Sequence, residues 1–246
     1  MIRLVLDLLA SHTSIRTYKN KKLSKEEVFE LISVAQHAAS SHFVQAYSVI
    51  WITDDEIKKK LGEFSENPTQ MNTAGAVFVC CVDFKRLQIA GTMNDTSIVT
   101  DTAENVIVGT TDVAIFSQNL AIAAESKGYG ICYIGGVRNN PEAISELLNL
   151  PNQVFPVFAM TMGVPDEVHE VKPRLPVEAI LHENKYSSEK YQTLLPDYDK
   201  TMEIYYATRG SNQKMANWTR SMANFLSKAR RTHMKDFLKK QGFTWK

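Results

Sequence analysis

Four short runs carry side chains or open backbone able to hold an anion or a flat polar ligand. His12-Thr13-Ser14-Ile15-Arg16 places an imidazole, two hydroxyls and a guanidinium within five residues, and Lys172-Pro173-Arg174 places two cations on either side of a proline that stiffens the chain. Both offer charge-assisted donors suited to phosphate, and arginine can grip two phosphate oxygens at once. Ordinary solvated surface charge is the competing interpretation. Gly135-Gly136 allows backbone N–H groups to approach a ligand closely, or simply turns the chain between a strand and a helix. Ser40-Ser41-His42 supplies hydroxyl donors at the end of an apolar-periodic segment, where they can equally satisfy the helix terminus itself.

Other chemistries lack their patterns. No G-x-G-x-x-G follows a strand, and neither G-x-x-x-x-G-K-[ST] nor G-x-S-x-G occurs. The six histidines form no H-x-x-x-H or H-E-x-x-H pair, so no metal is expected. Cys80, Cys81 and Cys132 form no C-x-x-C pair and lie in apolar segments, where thiols act as core filler.

The elements that must position these runs follow from periodicity. Ile2, Leu4, Val5, Leu8 and Leu9 recur at helical spacing, as do Val28, Leu31, Ile32 and Ala35, with Ser24 and Glu27 forming a capping box for the second helix. Residues 46–53 and 76–83 are expected to be buried strands, with a short helix over 54–64 between them. Residues 102–127 predict a helix apolar on nearly all sides, buried in a core or an interface and closed by Gly128. Asp112 and Glu125 within it are expected to be structurally paired carboxylates. A strand over 130–134, a helix opened by Asn140 and Pro141, and a strand over 154–162 follow. Residues 164–195 read as extended, and helices resume over 196–208 and from Trp218. Helices mixed with strands, without strict βαβ alternation, give an α+β domain.

Charge and composition narrow the function. The chain has 246 residues, net charge +1 and 44% hydrophobic residues, which supports a large core and argues against binding to nucleic acid or membrane by charge alone. Residues 209–246 carry ten Lys plus Arg against one Asp, so a basic tail joins an acidic body. No transmembrane helix or signal pattern is expected, since the apolar run 76–82 is far short of the roughly 20 residues a span needs. A cytoplasmic protein is expected.

The order of motifs is more specific than any one of them. His-x-Ser-Ile-Arg at 12–16, Ser40-Ser41 followed by Gln45, YIGGVRNN at 133–140, KPRLP at 172–176 and YYATRGSN at 205–212 resemble, over essentially the whole chain, the oxygen-insensitive NADPH nitroreductases and flavin reductases of bacteria. The resemblance implies a nitroreductase-like α+β fold over a single domain, 1–246, with an extended C-terminal segment. A mixed, mainly antiparallel sheet would be wrapped by helices in an interleaved homodimer, each of whose two interface pockets holds FMN.

By similarity, His12, Ser14, Arg16 and Arg174 would hold the FMN phosphate and ribityl chain, with Thr13 in the same run. Tyr133, Ile134, Gly135 and Gly136 would line the flavin edge. Lys172 would lie near the pyrimidine end, where a cation at 4 Å attracts a reduced flavin anion by roughly 4 kcal/mol at an effective dielectric near 20. Ser40, Ser41 and His42 would come from the partner subunit. Glu104, Arg209 and Lys214 would contact NADPH, preferred over NADH because its 2′-phosphate rewards cations. No side chain is expected to act as a nucleophile or general acid. The acceptors would be nitro-compounds, quinones or free flavin.

Three positions depart from the family pattern: Thr13 replaces an arginine, His42 replaces a serine, and Pro68 falls where a glutamine contacts FMN. Asn67, Thr69 or Gln70 could take over that last contact, and Gln70 is the candidate. FMN retention is therefore expected to be weaker than in relatives and to rise in Thr13→Arg. A flavin carrier, or a nucleic-acid binder using the basic tail, is the alternative from another class.

Overall fold

The computed structural model describes residues 5–244, and its contacts divide them into two compact units, 5–168 with 231–244, and 169–230. Ile2 and Leu4 of the expected first helix lie outside the described residues.

The first unit is built on a four-stranded sheet. β1 (Tyr47–Ile52), β2 (Ala76–Asp83), β3 (Gly130–Ile134) and β4 (Val154–Gly163) stand in the order β1-β2-β4-β3, every pair antiparallel. The parallel part of the expected mixed sheet is one isolated bridge, Ser14 to Ile131. All eight residues of β2 are buried, which is why 76–82 are continuously apolar rather than alternating, before the strand ends at Asp83. Val77, Val79 and Cys81 pack with Leu61 and Ile144 on one face, and Phe78 packs with Leu31, Phe116 and Leu120 on the other.

Helices cover both faces. The first core takes α3 (Asp55–Ser65), α4 (Pro68–Thr73) and α7 (Pro141–Leu147); the second takes α2 (Lys25–Ala35) and α6 (Ala103–Ser126). α1 (Val5–Ala10), α5 (Lys85–Met93) and α11 (Met234–Lys240) complete the unit, and Phe237 and Phe243 close a third cluster around Cys80 and Val82. The predicted caps form. Ser24 and Glu27 bond reciprocally, Asn140 accepts from Ala143, and Gly128 takes the left-handed conformation (φ 82°) that ends α6; Asp54, expected as the first residue of its helix, instead caps it by accepting from Glu56 and Ile57.

α6 is the helix expected over 102–127, apolar on nearly all sides and packed into the core. It is the one helix among the described residues long and apolar enough by composition to cross a membrane, although no uninterrupted apolar run announces it. Its apolar residues are interspersed with small and polar ones. Val113, Phe116, Leu120, Ala121 and Ala124 are buried and enter the sheet's two clusters on that side, which gives the helix its place as a core element.

The second unit holds α8 (Val177–Ile180), α9 (Tyr191–Thr208) and α10 (Trp218–Leu226) around Tyr198, Met202 and Tyr206. The expected extended run over 164–195 is thus broken by α8 and by the first turn of α9. Pro196 lies inside α9 rather than opening it, because the turn before it forms despite the one backbone bond proline cannot donate. α4 and α5 were not expected: each is short and neither has a side-chain cap.

Candidate functional site

The His12–Arg16 run is held by the edge of the sheet. After α1 the chain extends beside β3, with Ser14 bridged to Ile131 and the Ile15 N–H donating to the Ile131 carbonyl at 2.9 Å. Ile15 is buried in the core, so the period of two turns Ser14 and Arg16 to the other face. Gly130 is required for this approach, since a Cβ there would stand 2.4 Å from Ile15 Cγ1. His12 Nδ1 lies 2.5 Å from Glu125 Oε1 in the last turn of α6, which fixes the imidazole ring. The Arg16 and Thr17 N–H groups donate to the Glu167 carboxylate, and the Arg16 guanidinium donates to the Ser14 carbonyl at 3.2 Å. Thr13 is half-exposed.

β3 runs from that bridge into Gly135-Gly136, and the two glycines have different reasons. A Cβ on Gly136 would meet the Ser65 carbonyl at 2.1 Å and Asn67 Nδ2 at 2.6 Å, so close packing against the α3–α4 link demands glycine there. At half-buried Gly135 a Cβ would meet only the Arg138 guanidinium, at 3.2 Å or more, leaving a backbone face that a planar ligand can approach. Ile134 is core. Tyr133 packs edge-on to Phe158, and burial pushes its phenol well above the usual range, so it remains a neutral donor. Gln70 on α4 donates to Asn67 Oδ1 at 3.2 Å, and Asn67 donates to the Ser65 carbonyl at 2.6 Å, which links the expected Gln70 contact to the Gly136 turn.

Ser40, Ser41 and His42 lie in a loop tied to α6. Ser40 Oγ donates to Asp112 Oδ2 at 2.7 Å and accepts from the Gln45 N–H at 2.7 Å, while the Ser41 and Ala46 N–H groups donate to the same carboxylate at 3.1 and 3.0 Å. The Ser40 hydroxyl is thus engaged in holding the loop. His42, Phe43 and Gln45 all have positive φ, a strained run that the Asp112 anchor maintains. Ser41 and His42 are exposed, their side chains 3.4 Å apart.

The remaining candidates fall into two places. Glu104 is exposed in the first turn of α6 in the first unit. In the second unit, Lys172, Arg209 and Lys214 converge on one ring, with Lys172 Nζ, Arg209 Cζ and Lys214 Nζ at 5.4, 4.9 and 4.5 Å from the Tyr206 centroid. Arg174 is exposed two residues beyond Lys172, and the Tyr198 hydroxyl pins Pro173 between them at 2.9 Å. The motif at 205–212 contained Tyr206 without revealing that it gathers the cations; its i,i+3 spacing to Arg209 at the end of α9 was the available signal. Glu167 had no sequence signal.

Hydroxyl, imidazole and guanidinium donors on one sheet edge, followed by an open glycine, match the needs of a phosphate joined to a planar ring system. Residues 9–164 match the model of the nitroreductase family, and residues 172–246 match the model of that family's C-terminal domain. A protein named as a Cr(VI) reductase from Pseudomonas sp. (strain G-1) is 61% identical over 99% of this chain and all of its own length. The FMN reductase (NADPH) of Bacillus subtilis is 36% identical over 97% of each chain. The solved structure of B. megaterium NfrA1 is 39% identical, with a TM-score of 0.94 over 98% of this chain and 99% of its own. The chain belongs to the nitroreductase family: it is an oxidoreductase with the nitroreductase fold.

Proposed function

We propose that this chain is an FMN-dependent enzyme that passes hydride from NADPH to nitro-compounds, quinones or free flavin in alternating two-electron half-reactions. The observation that carries the proposal is the laying of His12–Arg16 along β3, the strand that leads directly into the open backbone face of Gly135. His12, Ser14 and Arg16 hold the phosphate end, Thr13 flanks it, and the Gly135 and Gly136 backbone with Tyr133 and Ile134 borders the ring, with Gln70 reaching it from α4. Bound FMN supplies the hydride relay, so no side chain has to act as nucleophile or general acid.

Lys172 and Arg174 are assigned to the flavin by family similarity. Arg209 and Lys214 bind NADPH, with Glu104 beside it, and their shared placement with Lys172 on the Tyr206 ring supports a site rich in positive charge for a phosphorylated nucleotide. The chain is proposed to act as a single FMN-binding domain, 1–246, in a cytoplasmic homodimer with Ser40, Ser41 and His42 presented to the partner's flavin. Ile107 and Ile115, exposed on α6, support the dimer. Cr(VI), which the name of the Pseudomonas relative gives as what it reduces, belongs among the substrates to assay.

The test is a visible absorption spectrum before and after anaerobic addition of NADPH. A flavin spectrum that bleaches is expected, with stronger FMN retention in Thr13→Arg. Protein that stays colourless after FMN is supplied would overturn the proposal and move the flavin-free, basic-tail alternative forward. Light scattering on the eluted peak tests the dimer.

A further inference from the structure

We infer that a cavity in the first unit, walled by Lys21, Lys22, Lys58 and Asn72, is a second anion site that takes a phosphate-bearing small molecule. None of its lining residues is assigned above to FMN or NADPH. It has a volume of about 460 Å³, roomier than a bare phosphate requires. Its walls are fixed: the Lys19 N–H donates to the Val164 carbonyl at 2.9 Å, and the Leu23 N–H donates to the Gly75 carbonyl at 3.1 Å. The segment between them presses on Gly75 so closely that a Cβ there would stand 2.3 Å from the Lys21 carbonyl oxygen.

Lys58 is the unusual member. It lies in the run Lys58-Lys59-Lys60, yet it is only 9% exposed, with Nζ donating to the Ala74 carbonyl at 2.8 Å. An ammonium has three N–H donors and a full charge, and a buried charge is costly unless an opposite charge meets it. The lining offers a single carboxylate, Asp55, which Lys22 already holds at 3.1 and 3.2 Å. Three ammoniums against one carboxylate leave the cavity positively charged, and burial, opposed by Asp55 and reinforced by Lys22, pulls Lys58 below the ordinary lysine value. Capping the end of α4 explains one hydrogen bond of Lys58. It does not explain a rigid cavity with two more lysines at its rim. A phosphate dianion would neutralise the excess and accept from the Asn72 amide.

The test uses FMN-loaded protein in the Arg209→Ala background without NADPH, so that this nicotinamide cation does not contribute, and titrates it with inorganic phosphate followed by ³¹P NMR. Saturable binding is expected, weakened about tenfold by Lys58→Met and retained by Lys58→Arg, with the flavin spectrum unchanged. Should Lys58→Met lose its fold, the exposed double variant Lys21→Ser/Lys22→Ser decides, and the same weakening is expected. Absence of saturable binding, loss of binding on Arg209→Ala alone, or binding indifferent to both variants would overturn the site.

Discussion

Replacing Asp112 should loosen the 40–46 loop and cost more stability than a surface carboxylate could. Its side chain is 1% exposed and receives the Ser40 hydroxyl and the Ser41 and Ala46 N–H groups. Hydrogen bonds to a charged group contribute about 1.5–3 kcal/mol each, but the first two donors are near enough to the surface for water to replace the carboxylate in part. Ala46 is fully buried, so its N–H would be left unsatisfied at a cost of about 1–3 kcal/mol. Removing the buried charge returns some desolvation energy. The net expectation for Asp112→Ala is a loss of about 3–4 kcal/mol. Asp112→Asn should lose about 2–3 kcal/mol, because its NH2 faces donors.

Urea unfolding of the FMN-loaded protein measures this, and FMN release measures the loop. Ser40→Ala removes one bond to Asp112 and one from Gln45, with an expected cost of about 1–2 kcal/mol. Because Ser40 and Asp112 share a bond, the double variant should cost less than the sum of the singles by about 1 kcal/mol. An Asp112→Asn protein within about 0.5 kcal/mol of the parent, or strict additivity with Ser40→Ala, would refute the anchor.

Gly136→Ala sets a Cβ 2.1 Å from the Ser65 backbone oxygen, and should cost about 2–4 kcal/mol by chemical denaturation while Gly135→Ala costs less. Glu27 is held below its ordinary 4.5 by the Tyr129 hydroxyl and then by the Ser24 N–H. A lowered carboxyl binds fewer protons folded than unfolded, so its contribution is present above pH 4.5 and is lost as pH falls through the folded value. Glu27→Gln should therefore flatten the acid limb of a stability-versus-pH curve; an unchanged limb would count against the pairing. Burial pushes Cys80 up to about 12 and raises Cys81 and Cys132, so none should react with iodoacetamide at pH 8 until the protein unfolds.

Much of this fold was legible because its signals are local. Ser24 with Glu27, Asn140 before Pro141, and Gly128 each announce an element's end through a side chain or φ angle acting within three residues. What escaped was non-local or weakly patterned. α4 has six residues and no side-chain cap, and α9 starts ahead of its proline against the usual placement. At the candidate site, the residue types of His12–Arg16 were readable, but their alignment on β3 depends on Gly130 lacking a Cβ more than a hundred residues away. Ser40 shows the limit of reading donors by type, since its hydroxyl already has partners on both sides.

α6 shows why carboxylates occur on an otherwise greasy helix. Hydrophobic burial alone would place it on the sheet but would not fix what lies beside it, because apolar contacts have no direction. Asp112 and Glu125, thirteen residues apart, each reach a different loop: one holds Ser40 to Ala46, the other holds His12. Both loops carry residues proposed to touch FMN, His12 in its own subunit's pocket and Ser40 to His42 in the partner's. Their relative position is then set by the length of one rigid helix rather than by two flexible connections, which is how the two proposed pockets would be held in register. The consequence is testable in the helix itself. Asp112→Asn and Glu125→Gln should each weaken FMN retention through a different segment, and, with no shared partner, their effects should add. Strong non-additivity would mean the helix shifts as a body and that the carboxylates do not act as separate anchors.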